Sequence, residues 1–315
     1  MSRDVATGVV GVGSMGRHHA RIFAELPEAD LVGVTDADDA RARAVAAEHD
    51  TVAMDWDELR AEADAISIAV PTAYHEDLVR DCIEDGIPVL VEKPFVKNVD
   101  RGRDLLRLAA EKGVPIQVGH VERFNPAVDA VAEYVSDLDV IAVTAQRLNP
   151  PLDRDIDDSA IFDLMIHDLD ILLSLVDSDV DAVSSMTTSG GRYATAEVKF
   201  EDGTIGQLTA SRVTQRRVRE LTVTADDALV HVDYDEQSVE IHRQPTDGCA
   251  TDQETVIERL TVGDDEPLKV ELQSFLQVAR DGRDPVVTGE DGLRVVELSS
   301  RMDTQTTPPA RRSDA

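Results

Sequence analysis

Residues 7–16 read TGVVGVGSMG. Thr7–Val12 is an apolar run of strand length, and it ends in glycines spaced G-x-G-x-x-G at Gly11, Gly13 and Gly16. Behind them Ala20, Ile22, Phe23 and Leu26 recur at helical spacing. Strand, glycine turn and helix are the context a dinucleotide-binding turn requires. Gly11 allows the tight turn, Gly13 lets the backbone approach a pyrophosphate, and Gly16 lets helix and strand pack closely. The helix start offers N–H groups to phosphate, so Ser14 and Met15 inside the turn are also candidate cofactor contacts. A second apolar run, Leu31–Val34, is followed by Asp36. A carboxylate there takes both ribose hydroxyls of NAD and repels the additional phosphate of NADP, and Asp38 and Asp39 add to that preference.

The pattern repeats. Ala65–Val70 reads as a buried strand closing on Pro71 and Thr72, with a helix over 75–85 that starts at His75. Pro88–Val91 leads into Glu92-Lys93-Pro94, and Val114–Val118 into Gly119. Alternating strands and helices predict an α/β Rossmann domain, a parallel doubly wound sheet, over residues 1–120. Strand ends line the crevice of such a sheet, which makes Pro71, Thr72, His75, Glu92, Lys93 and Gly119 cofactor-side candidates. Lys93 is one of five lysines in the chain and stands at a strand end, a less common place for a solvated surface lysine.

Past residue 120 the period falls towards two. After a helix at Pro126–Val135, alternating runs cover Asp139–Arg147, Asp181–Thr188, Tyr193–Phe200, Thr204–Arg212, Arg217–Thr224, Ala228–Tyr234 and Ser238–Arg243. Helices follow at 267–281 and 289–302. This predicts an α+β domain with a large, mostly antiparallel open sheet over 121–303, and a polar, disordered tail over 304–315. Within it, IFDLMIHDLDI at 161–171 sets Asp163 and His167 four positions apart, on one face of a helix. Taken alone, such a pair is more often structural than catalytic. Its chemistry is nevertheless that of proton transfer near neutral pH. No metal is expected: His18 and His19 are adjacent on one helix and cannot share a face, and His167-Asp168 lacks further ligands at readable spacing.

GVGSMG with Asp36, EKP at 92–94, GHVERFNP at 119–126 and the D-x-x-x-H of Asp163 and His167 occur together, in order, over residues 5–301. In this the chain resembles the glucose–fructose oxidoreductase, inositol dehydrogenase and MocA-like family. The resemblance implies an NAD-dependent alcohol dehydrogenase in which Lys93 is the catalytic lysine and His167 the acid/base. It makes Asp163 a group that orients either the substrate hydroxyl or the imidazole, and Lys93–Pro94 a candidate cis peptide. Lysine suits the task, because an ammonium stabilises charge developing on the oxygen as the hydride leaves carbon.

ERFNP followed by QRLNPPLDRDIDDSAIFDLMIHDLDIL is most similar to the branch acting on nucleotide sugars, the UDP-N-acetylglucosamine 3-dehydrogenases. Arg123, Arg147 and Arg154 then become candidates for a diphosphate and Asn125 for the sugar. A free aldose or inositol is the alternative substrate, and a non-catalytic NAD-sensing regulator the alternative class. The family also implies a homodimer or homotetramer through the open sheet.

Composition bounds the setting. The 315 residues suit two domains. Asp and Glu number 63 against 31 Lys and Arg, a net charge of −32, and the acids decorate periodic segments instead of forming a tail. That pattern points to a folded surface adapted to molar salt, a halophile's protein, in which self-repulsion is screened. It argues against nucleic acid, as does an aromatic content of 3%. The chain enters its first strand without an apolar leader and has no run of membrane-spanning length, so a cytoplasmic location is expected. Cys82 and Cys249 are isolated and read as reduced thiols.

Overall fold

The short apolar runs of the first 120 residues become the strands of one sheet. In the computed structural model, which describes residues 4–151, 158–244 and 256–306, they are β1 (Val5–Val10), β2 (Ala29–Thr35), β3 (Ala65–Ile68), β4 (Val89–Glu92) and β5 (Ile116–Gly119). All pair in parallel, in the order β2-β1-β3-β4-β5. Every residue of β1, β3, β4 and β5 is buried, as expected of a sheet covered on both faces. Helices α1 (Gly16–Glu25), α2 (Asp39–Glu48), α3 (Trp56–Glu62), α4 (His75–Asp85) and α5 (Val99–Lys112) make the crossovers. The strand order reverses at β1, which sets the ligand crevice at the carboxyl ends of β1, β2 and β3.

The second half is an eight-stranded sheet: β6 (Val140–Leu148), β7 (Val180–Thr188), β8 (Tyr193–Phe200), β9 (Ile205–Ser211), β10 (Val218–Ala225), β11 (Ala228–Asp233), β12 (Ser238–Arg243) and β13 (Val256–Arg259). Their order is β13-β12-β11-β10-β6-β9-β8-β7, antiparallel except for β6 with β9. In β8, Ala194, Ala196, Val198 and Phe200 are buried while Glu197 and Lys199 are exposed, the alternation of a sheet with one covered face. The α-helices α6 (Pro126–Val135) and α7 (Ile166–Leu175) both contact it, and a Cβ on Gly206 would lie 2.3 Å from the Leu172 side chain, so α7 rests directly on β9. The sequence reading stops at β12. Strand β13 is four residues long and mostly exposed, too short to show an alternation.

Two units cluster separately: the chain up to Phe124 with Glu266–Val296, and Asn125–Asp265 with the chain from Glu297. The first therefore recovers α8 (Pro267–Asp281) and the start of α9 (Gly289–Thr306), which the sequence reading assigns to the second domain. The cause is the apolar stripe of α8. Leu272, Phe275 and Leu276 are buried in one core with Ile22 and Phe23 of α1 and with Leu26 just past its end. Helix α9 runs on to Thr306, so residues 304–306, expected in the disordered tail, are helical. The rest of that tail, 307–315, lies outside the described residues, as does Cys249. Cys82 is a buried free cysteine whose thiol is pushed well up by burial. Among the described residues no helix is long and apolar enough to cross a membrane.

Candidate active site

At the crevice of the first unit lies a cleft of about 800 Å3, lined by Gly11, Gly13, Ser14, Met15, Asp36 and Pro71 among others. Gly11 has φ +81°, and a Cβ there would strike Val70 at 2.6 Å. A Cβ on Gly16 would stand 1.8 Å from the Gly11 carbonyl oxygen, so strand and helix meet where no side chain fits. A Cβ on Gly13 would meet nothing within 4 Å; it points into open space. Helix α1 has no side-chain cap, which suits a helix start that receives an anion.

Asp36 follows β2 with its carboxylate fixed. It accepts the N–H groups of Val12 (2.9 Å) and Asp38 (2.8 Å), and the Arg41 guanidinium lies 3.3 Å away. Asp38 and Asp39 do not share its role, because Asp38 caps α2 and Asp39 pairs with Arg43. Sequence reasoning missed Arg41, Trp56, Tyr74 and Leu78, which also line the cleft; only Arg41, five residues after Asp36, offered a local signal. The glycine cradle, the open space at Gly13 and the fixed carboxylate at a strand end fit a dinucleotide with unsubstituted ribose hydroxyls.

Lys93 follows β4, half-buried, and the Lys93–Pro94 peptide is cis, as the resemblance implies. Its surroundings are polar and buried. Glu92 is 9% exposed; its Oε1 lies 3.2 Å from His19 Nε2 and its Oε2 accepts the Lys93 N–H at 3.3 Å. His19 is fully buried with Nδ1 2.6 Å from Ser67 Oγ, whereas His18 is exposed. Burial alone would raise the Glu92 carboxyl, but His19 and Lys93 outweigh it and hold it below its ordinary value.

Thr72, Glu92, Lys93 and Gly119 do not line the cleft, and neither does His75. It is fully buried, its Nδ1 lies 3.0 Å from the Pro94 oxygen and its Nε2 2.9 Å from the Val70 oxygen, and burial lowers its pKa. It ties together the backbones of two strand-end loops, a role that requires a buried side chain and replaces the expected cofactor contact. Thr72 opens a short 3₁₀ turn after Pro71. His120, just past Gly119, is buried and pushed down to about 3 by burial, with the charges of Lys93 and Arg123 adding to it.

In the second unit Asp163 lies on a π-helical turn, Ile161–Met165, that runs into α7 at Ile166; His167 is the second residue of α7. The expected single α-helix is thus a π turn followed by an α-helix. Such turns concentrate at functional positions. Asp163 Oδ2 accepts from Arg212 Nη1 at 2.9 Å, and Arg212, itself 6% exposed, also donates to the Asp158 carbonyl at 2.6 Å. No sequence pattern links two residues 49 positions apart.

Arg147, a candidate for diphosphate, is instead buried and donates through Nε and Nη2 to Asp168 at 2.8–3.1 Å. Its guanidinium also lies 5.4 Å from the centroid of the Tyr234 ring. Asn125 is 3% exposed: its Oδ1 caps α6 at Ala127 N and its Nδ2 donates to the Tyr234 carbonyl. Arg123 is half-exposed and reaches the Val286 oxygen at 3.4 Å. Arg154 lies outside the described residues.

This fold and cleft define an NAD-binding oxidoreductase. Residues 5–120 match the oxidoreductase family with an NAD-binding Rossmann fold, and residues 136–231 match the GFO/IDH/MocA C-terminal domain. A UDP-N-acetylglucosamine 3-dehydrogenase of Acidithiobacillus ferrooxidans is 32% identical over 94% of this chain and 95% of its own. Its solved structure superposes with a TM-score of 0.90 over 96% of this chain and 97% of that one. An inositol 2-dehydrogenase of Rhizobium meliloti is 26% identical over 94% of each chain. The chain belongs to the Gfo/Idh/MocA family of NAD-dependent dehydrogenases.

Proposed function

We propose that the protein oxidises a secondary hydroxyl of a nucleotide sugar, the C3 hydroxyl of UDP-N-acetylglucosamine, to the 3-keto sugar. NAD bound in the glycine-turn cleft supplies the acceptor for the hydride leaving the sugar carbon. Lys93 presents an ammonium to the oxygen as negative charge develops there, an electrostatic term larger in a water-poor site than in bulk. His167 takes the hydroxyl proton and returns it in the reverse direction. Asp163, anchored as an anion by Arg212, orients the reacting hydroxyl. Arg123 and Arg154 are the proposed partners for the diphosphate, since guanidinium matches phosphate oxygens in fork geometry.

The observation that carries the choice of sugar is the end-to-end likeness to the UDP-N-acetylglucosamine enzyme, which extends over both units. Inositol oxidation is the second reading, favoured by the 26% identity to an inositol 2-dehydrogenase. UDP-sugars, free aldoses and inositols offered with NAD in strong salt, with NADH absorbance followed, separate the two. Turnover of UDP-N-acetylglucosamine well above the others is expected; preference for inositol overturns the assignment. Lys93→Ala tests catalysis against a sensor role, and loss of turnover with NAD binding retained is expected.

The working form is a dimer or tetramer. On the face of the eight-stranded sheet bearing Thr144, Gln146, Thr195, Gln207 and Thr209, Met186 is 74% exposed and Ile205 45% exposed, which suits closure by a second copy. Light scattering in strong salt checks this, and a monomer would contradict it. The same reading sets the protein in a salt-rich cytoplasm.

A further inference from the structure

We propose that Arg219 holds an anionic group of the substrate, the diphosphate of a nucleotide sugar, at the carboxyl ends of β6 and β9. The inference rests on the reading of the substrate as a nucleotide sugar, and it adds a residue to Arg123 and Arg154. The stretch from Arg212 to Arg219, RVTQRRVR, carries four arginines and no acid. No other eight consecutive residues hold four bases, in a chain whose net charge is −32. The run leads from β9 into β10, and its first arginine meets Asp163 at 2.9 Å.

These arginines are not equally provided with partners. Arg217 Nε lies 2.7 Å from Asp235, and exposed Arg216 stands 3.9 Å from Glu220. Arg219 is only 8% exposed, yet among the described residues no carboxylate lies within ion-pair distance of it. Arg147 stands directly opposite it on β6, hence on the same face, and takes the buried Asp168. Arg219 instead donates from Nη1 to the Leu148 and Val218 carbonyls at 3.2 and 2.9 Å, and from Nη2 to Asn149 Oδ1 at 2.8 Å. A guanidinium has five N–H bonds, so donors remain, and neutral oxygens do not cancel its charge. Burial, with the charges of Arg147 and Arg217 adding to it, brings its pKa down to about 10, which leaves it cationic at neutral pH. A buried charge without a counter-ion is destabilising, and an arriving phosphate supplies one in the fork geometry that guanidinium prefers.

The position agrees. Asn149, which Arg219 grips, follows β6, and its N–H meets the carbonyl of Ser211 at 2.7 Å, the residue before Arg212. Arg219 and Asp163 are thus joined through two adjacent strand ends. In a nucleotide sugar the diphosphate is carried across the sugar ring from the reacting hydroxyl, which fits an anion site beside Asp163 and not on it.

Binding measurements separate this role from a purely structural one. UDP, inorganic pyrophosphate and uridine are titrated calorimetrically into the full-length protein saturated with NAD, which keeps them out of the glycine turn. UDP and pyrophosphate are expected to bind, and uridine to bind more weakly than UDP. In Arg219→Gln the UDP affinity is expected to fall about tenfold or more, with uridine and NAD unmoved. Arg219→Lys keeps the charge and loses the fork; a smaller fall is expected, and it carries the test if the glutamine variant does not fold. A folded variant with unchanged UDP affinity overturns the proposal, and a lower melting temperature there assigns Arg219 to the fold. If Arg219→Gln keeps the wild-type KM for UDP-N-acetylglucosamine, the diphosphate lies elsewhere and the sugar assignment stands. A wild type that oxidises inositol and binds neither UDP nor pyrophosphate removes both.

Discussion

The helix starts at Gly16 and at Ile166 both serve the candidate chemistry, and they are built from different materials. The first is made of backbone: a glycine at φ +81° and an approach that would set a Cβ 1.8 Å from a carbonyl. The second is made of side chains brought from other strands: Arg212 from the end of β9 to Asp163, and Arg147 from β6 to Asp168. A site made of backbone is written in adjacent residues. A site made of side chains is written in the register of a sheet, and each half of a pair looks ordinary where it stands.

The largest effect that would break this comparison is at the glycines. Gly16→Val is expected to yield no stably folded protein, since neither the backbone of Gly11 nor that of the helix can move away. Gly13→Val, with open space around it, should keep the melting temperature and lose NAD affinity by on the order of tenfold or more. Thermal unfolding paired with quenching of the single tryptophan, Trp56 on the cleft rim, by bound NADH reads both. If Gly13→Val bound NAD normally, the backbone cradle would lose its assigned role.

Next in size is the buried ion pair. Arg147→Met removes the charged hydrogen bonds to buried Asp168 and is expected to cost about 3–5 kcal/mol in denaturant unfolding. Adding Asp168→Leu should recover most of the loss. Arg212→Met sharpens the distinction: Asp163 is 26% exposed, so a smaller stability loss is expected, alongside a fall in kcat that Arg147→Met with Asp168→Leu does not produce. Asp36→Ser should cost about 1.5–3 kcal/mol of NAD binding through its lost charged hydrogen bonds, and leave Arg41 available to an NADP phosphate. Cofactor titrations with both dinucleotides measure it.

The first unit carries two imidazoles that make stability depend on pH in mild acid. His75 and His120 have folded pKa values below the 6.5 of the unfolded chain, so the unfolded state binds more protons as pH falls. Their contribution is complete above about pH 6.5 and is lost on acidification, with a slope approaching ~1.4 kcal/mol per pH unit for each group until its folded pKa is reached. Glu92, with a depressed pKa, adds loss below about pH 4.5. His120→Gln is expected to flatten the unfolding profile between pH 6 and 4. Smallest per group is the surface: pairs such as Arg217–Asp235 are each worth under ~1 kcal/mol. Their sum against the repulsion of a −32 charge is expected to make stability rise with salt, which melting temperatures across a salt series would record.

This contrast also explains what could be read beforehand. The parallel sheet, the glycine turn, Asp36 and the alternating strands through Arg243 were legible, because each is a local pattern of period or spacing. A polar side chain in sequence does not say whether it caps a helix, as Asn125 does, pairs with a buried acid, as Arg147 does, or meets a ligand. The strand-end position of His75 makes it a cofactor-side candidate, yet its ring turns inward to three carbonyl oxygens. The return of α8 to the first unit was hidden for the same reason: an amphipathic stripe announces that it will be covered and does not name what covers it.

The order of the eight-stranded sheet has a consequence for assembly. Strands β7, β8 and β9 follow one another as an antiparallel meander, and β10, β11 and β12 as another, each reachable by short connections. Strand β6 comes first along the chain yet lies between them, with Ala142 beside Ile205 and Leu148 beside Val218. Joining the two meanders therefore waits on distant chain segments meeting, the slow kind of event in folding. A nascent chain displays β6 long before either neighbour exists, and its residue pattern must tolerate that interval without pairing to a stranger.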